Sequence, residues 1–512
     1  MQTGSQLRFV RGECGVAAEA TRPQGEIHHA RTVSIPTGQS TRIGSPERRR
    51  PYEDGPVPSL LWFRRDLRLH DLPALAAAVD QDRDVLACFV LDPQLEASSS
   101  ARRLQILGHC LRQLQTELDG RLLVTRGCPE ERIPLIAKEI DASAVHISAD
   151  FTPFGRGRDG RVQEALDGIP LVPTGSPYLV SPGRVTKDDD SPYRVFTPFF
   201  RRWREHGWRQ PADTGPQSAQ WIDPSSLAAA AAKPADAPDT GAPACFAAGE
   251  EAALRQWRRF VEAGLDDYAE QRDLPGVDGT SQLSMHLKFG AIHPRTMVAD
   301  LDLRHSSHVA YLRQLAFRDF YATVLHHWPN SAWHNWNRDF DVIETDTDDT
   351  AGRHFDAWKA GQTGFPFVDA GMRQLAQTGF MPNRVRMITA SFLVKDLHLP
   401  WQWGARWFLT QLVDADIANN QHGWQWCAGS GTDAAPYFRV FNPTAQGQKF
   451  DPTGAYIRRW VPELADVADP HLKSGSPPPN YPAPIVDHGE ERAEALRRYQ
   501  AIGAHRNATP KP

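Results

Sequence analysis

A change of periodicity near its middle constrains this chain more than any other feature. From residue 59 to about residue 172 short apolar runs alternate with amphipathic stretches, the mark of βαβ units around a parallel sheet. Strands are expected over 59–63, 85–91, 122–125 and 145–148. Between them Leu104, Leu107, Leu111 and Leu114, and then Ile133, Ile136, Ala137 and Ile140, recur at helical spacing. Beyond about residue 246 strand signals fade. Long amphipathic segments replace them, such as 366–377, which has Pro366 at a first helical position and Gly379 as its stop. The expected fold class is therefore an α/β N-terminal domain, a doubly wound parallel sheet, followed by an all-α C-terminal domain.

Five segments follow from this reading. They are a disordered tail over 1–56, an α/β domain over 57–175, a connector over 176–246, a helical domain over 247–475 and a C-terminal tail over 476–512. The connector is read from Pro224, an alanine run ending at Ala232, and Pro234, Pro238 and Pro243. The first 56 residues show no apolar periodicity and no signal-peptide core. Arg48, Arg49, Arg50 and Pro51 suit a solvated tail or an over-extended start better than a targeting segment.

Composition narrows the function classes. With 40% hydrophobic and 23% charged residues the chain is globular, and no apolar run approaches the roughly 20 residues that span a bilayer. A net charge of -5 argues against nonspecific coating of nucleic acid, yet a local basic groove fits inside an acidic total. The cysteines at 14, 88, 110, 128, 245 and 427 show no C-x-x-C spacing, and His326-His327 lacks the H-E-x-x-H pattern. No metal is expected, and the reading is a reduced, cytoplasmic protein without a membrane segment.

Gly155-Arg156-Gly157-Arg158-Asp159-Gly160 satisfies G-x-G-x-x-G literally. It follows the fourth expected strand rather than the first, and 173–180 carries no acid. It is read as a chance match.

The informative motifs lie later. They are Tyr268-Ala-Glu-Gln-Arg-Asp, Gly279-Thr280-Ser281-Gln282-Leu283-Ser284, Asn383-Arg384-Val385-Arg386-Met387, Asp414-Ala-Asp416 through Asn420, and Trp424-Gln-Trp426. Thr432 through Arg439, Phe441 through Gln446, and the early Leu61-Trp62-Phe63-Arg64-Arg65-Asp66-Leu67-Arg68 complete the set. In this order, over about residues 58–465, they resemble the photolyase and cryptochrome family, and within it the class I cyclobutane pyrimidine dimer photolyases.

That resemblance implies noncovalent, reduced FAD in the helical domain. Thr280, Ser281, Leu283 and Ser284 would hold its phosphates, with Gln282 in the same turn, and Tyr268, Tyr311 and Arg318 would frame the pocket. Hydroxyls and backbone N–H groups suit anionic oxygens, although a serine before a helix is more commonly an N-cap. Arg386 would pair with Asp414 beside the ring, and Asp416 would bind the flavin too, where either aspartate alone would pass for a surface carboxylate. Asn420 would face flavin N5, accepting a hydrogen bond without adding charge.

The same resemblance gives a lesion pocket of Trp426, Asn383, Arg384 and Met387. A pyrimidine dimer is apolar on its faces and hydrogen-bonding on its edges, which such walls suit. Met387 also shares an apolar face with Val385, Ile388, Phe392 and Leu393, so core packing is its other reading. Arg272, Arg384, Arg439 and Gln446 would contact DNA. Gln314 and Phe317 stand where dimer-repairing members usually present Glu and Trp, so dimer affinity or lesion preference is open. Trp424 and Trp401 match the inner and middle members of a tryptophan relay to the flavin. The outer position falls on Asp348, with Trp333 and Trp336 the nearest indoles before it in sequence.

Light-driven repair of cyclobutane dimers, on damaged DNA and by a monomer, is the expected function. A cryptochrome-like light sensor and a (6-4) photoproduct photolyase are the alternatives. Asn383 and Met387 speak against the latter, and Gln314 leans toward it. The stretch from Asp150 to Gly155 lacks an Asn-Glu pair, so a deazaflavin antenna, or none, is expected rather than a folate.

Overall fold

The computed structural model describes residues 57–80, 83–242, 246–434, 439–473 and 477–508. The tail expected over 1–56 lies outside the described residues, as do 435–438 of the Thr432 motif. Residues 56–512 form one compact unit.

Six parallel strands make the sheet: β1 Ser59–Phe63, β2 Asp84–Leu91, β3 Leu122–Arg126, β4 Val145–Ile147, β5 Leu171–Pro173 and β6 Gln220–Trp221. Their order is β3-β2-β1-β4-β5, with β6 beside the start of β2. Every residue of β1 is buried because helices cover both faces of the sheet. Alternation then divides its side chains. Leu61 and Phe63 pack with Ile106, Leu111 and Leu114 of the helix Ala101–Glu117, while Leu60 and Trp62 meet Ile133, Ile136 and Val162 on the other side. β5 and β6 were not anticipated: unlike the equally short β4, neither has a fully buried residue to mark it.

The G-x-G-x-x-G stretch lies inside the helix Pro153–Ala165, where Thr152 caps the backbone N–H of Gly155. Gly155 is required by closeness, since a Cβ there would stand 2.1 Å from the Asp150 carboxyl carbon.

Two expectations need correction. Residues 176–246 are not a loose connector. They contain the helix Phe196–His206, which buries Phe196, Phe199, Phe200 and Trp203, and they contain β6. The proline-rich part is fastened by its backbone: Ala235 N donates to Val124 O at 2.8 Å, and Thr240 N to Gln105 Oε1 at 2.7 Å. Backbone pairing of this kind leaves no periodicity to read. Nor are residues 476–512 a plain tail, because they include the helix His488–Ala508. Ala495, Tyr499 and Ile502 are buried along one stripe of it, and Tyr499 Oη donates to Ala428 O. Mostly charged residues hide that stripe in the sequence.

The helices Ser306–His327, Asp349–Ala360, Pro366–Thr378, Asn383–Lys395, Trp401–Gln411 and Ile417–Ala428 build the second half. Among the described residues no helix is long and apolar enough to cross a membrane.

Candidate active site

The helix Ile417–Ala428 organises the site. Asp416 is its N-cap, accepting from Asn419 N at 3.1 Å and from Asn419 Nδ2 at 2.9 Å. Asn420 and Trp424, four residues apart, share one face of it. Asn420 spends Nδ2 on Ala405 O at 3.0 Å and Gln421 Oε1 at 2.7 Å, and among the described residues its Oδ1 accepts nothing. Trp424 is buried against Gly404 of the neighbouring helix, where a Cβ would lie 2.1 Å from its ring. Trp358 and Phe408 pack edge-on against the same indole, with centroids 6.1 and 5.0 Å away.

Asp414 pairs with Arg386 at 2.8 Å, and Arg386 Nε donates to Met381 O at 2.7 Å. The Asp414 Oδ1 atom is buried without a partner, an arrangement folded proteins seldom leave unmet. Ser281 Oγ and Tyr311 Oη are 2.9 Å apart, with Tyr268 edge-on to Tyr311 at 5.1 Å. Burial pushes the Tyr311 hydroxyl well up. The 279–284 turn is not an ordinary serine cap. Leu283 occupies the N-cap of Ser284–Phe289 without a side-chain bond, Gln282 sits at φ +51°, and the Ser284 side chain faces outward. Thr280 is half-buried in the same turn.

Charge converges on Asp416. Burial would raise its carboxyl, but Arg65, Lys288 and Arg318 hold it well below the usual carboxylate range. Arg65 Nη2 reaches Asp416 Oδ2 at 2.8 Å. Burial and Arg65 push the Lys288 ammonium down to about 7, against the pull of Asp416 and Asp150. Arg318 spends its guanidinium on Pro177 O at 2.6 Å and Leu287 O at 3.3 Å, and lies 4.7 Å over the Tyr178 ring.

The expected lesion residues gather at the start of the helix Asn383–Lys395. Asn383 Nδ2 contacts Met387 Sδ at 3.6 Å, and Met387 and Trp426 lie partly buried at the rim of the core. Arg384 bonds Asp273, and Arg272 Nε lies 3.8 Å from the same carboxylate. Arg439 is not brought to them. Its carbonyl accepts from Lys395 at the far end of that helix, about 16 Å along the axis from Arg384 by helical rise. Gln446 sits on the helix Pro443–Phe450. Gln314 turns back to Ala310 O at 3.4 Å, and Phe317 stacks on Phe196 with centroids 3.4 Å apart.

Trp401 is buried, donates Nε1 to Asn335 Oδ1 at 2.9 Å, and lines a cavity of about 150 Å³ with His398, Arg498 and Tyr499. Asp348 is the N-cap of Asp349–Ala360, accepting from Ala351 N at 2.8 Å. Trp336 packs on Trp328 at 5.6 Å, and Trp333 lies exposed with Arg406 5.2 Å from its ring. Sequence reasoning missed Lys288, Trp358 and Gly404, which only tertiary packing brings to the site. Arg65 stood inside a quoted motif but carried no role.

A parallel α/β half joined to a helical half with a half-satisfied polar site defines a two-part architecture with room for a ligand in its helical half. Residues 59–217 match the family model described as DNA photolyase, and residues 311–501 match the FAD binding domain of DNA photolyase. A deoxyribodipyrimidine photo-lyase of Synechococcus is 38% identical over 478 residues, covering 88% of this chain and 97% of that protein. The crystal structure of a bacterial class III photolyase from Agrobacterium tumefaciens superposes with a TM-score of 0.78 at 34% identity, covering 89% of this chain and 99% of that one. An archaeal photolyase from Sulfolobus tokodaii, solved with two FAD molecules, gives 0.74 at 30% identity over 87% of this chain and 100% of its own. The chain belongs to the DNA photolyase family. Its residues fit a flavin: Asp414 Oδ1 is buried without a partner, Asn420 Oδ1 accepts nothing among the described residues, and the Ser281 hydroxyl of the 279–284 turn stands beside Tyr311 Oη.

Proposed function

We propose that this protein is a light-driven deoxyribodipyrimidine photolyase that repairs cyclobutane pyrimidine dimers in DNA. One observation carries the reading. The buried, half-matched Asp414 beside Arg386, and Asn420 with its free Oδ1, accompany a Trp426, Asn383 and Met387 rim. Bound in reduced form, FAD would supply a photoexcited electron to the dimer and take it back once the ring bonds have opened.

The chain's own residues do the rest. Thr280, Ser281, Gln282, Leu283 and Ser284 bind the phosphates, with Tyr268, Tyr311 and Arg318 around them. Arg386 and Asp414 would hold a bound flavin, Asp416 stays anionic, and the Asn420 amide would accept a hydrogen bond from it without adding charge. Trp426 offers a stacking platform to the extruded dimer, Met387 and Phe317 apolar walls, and Asn383 and Gln314 hydrogen bonds. Arg272, Arg384, Arg439 and Gln446 meet the strand. Since Arg272 and Arg384 share Asp273 in the free protein, DNA phosphates compete with that carboxylate, and binding weakens with salt. Trp424 and Trp401 would relay electrons toward a bound flavin.

In this reading 57–175 is the antenna-type domain and 247–475 the catalytic one. For a second chromophore a deazaflavin is preferred to a folate, because the Asp150–Gly155 stretch lacks the Asn-Glu pair. A cytoplasmic monomer is the form proposed. Repair of an oligonucleotide with one defined dimer, by reduced protein with and without light, tests the function. Protein that senses light without repairing, or that cannot be loaded with flavin, would refute it.

A further inference from the structure

The turn after β1 belongs to the α/β half by sequence, yet its bonds go to the helical half. Leu67 N donates to Phe289 O at 3.0 Å, Arg68 Nη1 to Gly290 O at 3.0 Å, and Arg65 Nη2 to Asp416 Oδ2 at 2.8 Å. The first two hold the end of the helix Ser284–Phe289, which grows out of the 279–284 turn. The third holds the N-cap of the helix that carries Asn420, Trp424 and Trp426. Gly290 shows how close the approach is: at φ +66° it has no room for a Cβ, which would stand 2.0 Å from Arg65 O. The turn is itself rigid. Leu69 N and His70 N both donate to the Glu250 carboxylate, at 2.7 and 3.0 Å, and Arg68 Nη2 donates to Asp71 O at 2.7 Å.

Five of the groups around Asp416 come from other segments, and the sixth, His422, from the helix that Asp416 caps. Arg65 bonds it directly, while Lys288 and Arg318 act on it through space, and Tyr178, Asp150 and His422 complete the surroundings. Arg318 has committed its donors to Pro177 O and Leu287 O. Lys288, near 7, loses its charge in mild alkali, whereas a guanidinium does not.

We propose that Arg65 is a positioning residue of the flavin site, a clasp from the α/β half that holds Asp416 in its cap geometry and thereby sets FAD affinity. The proposal rests on the reading of Asp416 as a flavin ligand. It gives the α/β half a part in cofactor retention that is separate from any antenna.

The test is titration of FAD into flavin-free protein, for the parent, Arg65→Met, Arg65→Lys, Asp416→Asn and the Arg65→Met/Asp416→Asn double variant. Removing one partner of a largely buried, hydrogen-bonded charge pair should weaken FAD binding about 30-fold in Arg65→Met, and Arg65→Lys should recover most of it. The double variant should bind no more weakly than the weaker single, because both changes remove one interaction. Unchanged affinity in Arg65→Met, additive losses, or no recovery by Arg65→Lys would each overturn the clasp. Should Arg65→Met fail to fold, Arg65→Gln carries the same comparison. Failure of the parent to bind FAD would sink the flavin reading instead, which keeps the two ideas apart.

Discussion

Arg64 and Arg65 are neighbours in sequence and end in two different kinds of site. In a sheet ordered 3-2-1-4-5, ligands of doubly wound folds usually enter the crevice beyond the carboxyl ends of β1 and β4. Here Arg64 fills it. Its guanidinium bonds Asp159 at 2.7 Å and Ser148 O, and lies 4.7 Å from the centre of the Trp62 ring. Arg158 closes the cluster on Asp159 at 2.9 Å and Asp150 at 3.5 Å. Arg65 turns the other way, to Asp416 in the helical half, where Asp414 and Asn420 each keep an oxygen unmatched. Fold alone would therefore send a search for the cofactor to a crevice whose charges already neutralise one another. The buried carboxylate oxygen of Asp414 left without a partner stands in the helical half instead.

Breaking one ion pair in each region tests this contrast most severely. Arg386→Ala strands the buried Asp414 carboxylate and should cost about 3–5 kcal/mol of stability in denaturant melts, whereas Arg64→Ala leaves Asp159 paired with Arg158 and should cost less. Only Arg386→Ala should also release flavin, read as loss of its absorbance from the protein after gel filtration. Equal flavin loss in the two variants would erase the distinction.

Next in size, Trp426→Ala should weaken binding to dimer-containing DNA by about 1–3 kcal/mol, the usual worth of a base stacked on an aromatic side chain. Undamaged DNA should be bound almost as before. Comparable losses on both, by fluorescence anisotropy, would place Trp426 outside the lesion pocket.

Gly404→Ala probes the packing under Trp424. Alanine favours the helix by about 1 kcal/mol, but a methyl carbon 2.1 Å from the indole forces a shift that should cost about 1–3 kcal/mol, so a modest net destabilisation is expected. Near-ultraviolet circular dichroism should change with it. An unaltered spectrum would show that the ring has room to move.

The smallest effect lies on the seam between the halves. Burial, and then Glu250, raise the Glu117 carboxyl from 4.5 to about 7. A group raised on folding contributes stability below its unfolded value and loses it as pH climbs through the folded one. Glu117→Gln should therefore melt higher than the parent at pH 8, and the gap should shrink toward pH 5. Solvent screening keeps the gain under about 1 kcal/mol. A gap that widened at pH 5 would reverse the sign argued here.

The sequence by itself determined what depends on local order. Alternating apolar runs specified β1 to β4, Pro366 and Gly379 bounded a helix, and the misplacement of Gly155–Gly160 excluded a dinucleotide turn, which the helix Pro153–Ala165 now explains. The Asp414 and Arg386 pair was legible because each residue lies in a motif whose resemblance implied it. Tertiary structure alone decided the rest. β5 and β6 have no fully buried residue to mark them, the 176–246 stretch is ordered by bonds to a distant strand and helix, and the His488–Ala508 helix hides an apolar stripe of Ala495, Tyr499 and Ile502 among charges. The joining of Arg65 to Asp416 across 351 residues, and of Trp358 and Gly404 to Trp424, has no local signature at all. Such contacts pay no energy until the chain has closed loops of that length, so nothing in the nearby sequence needs to encode them.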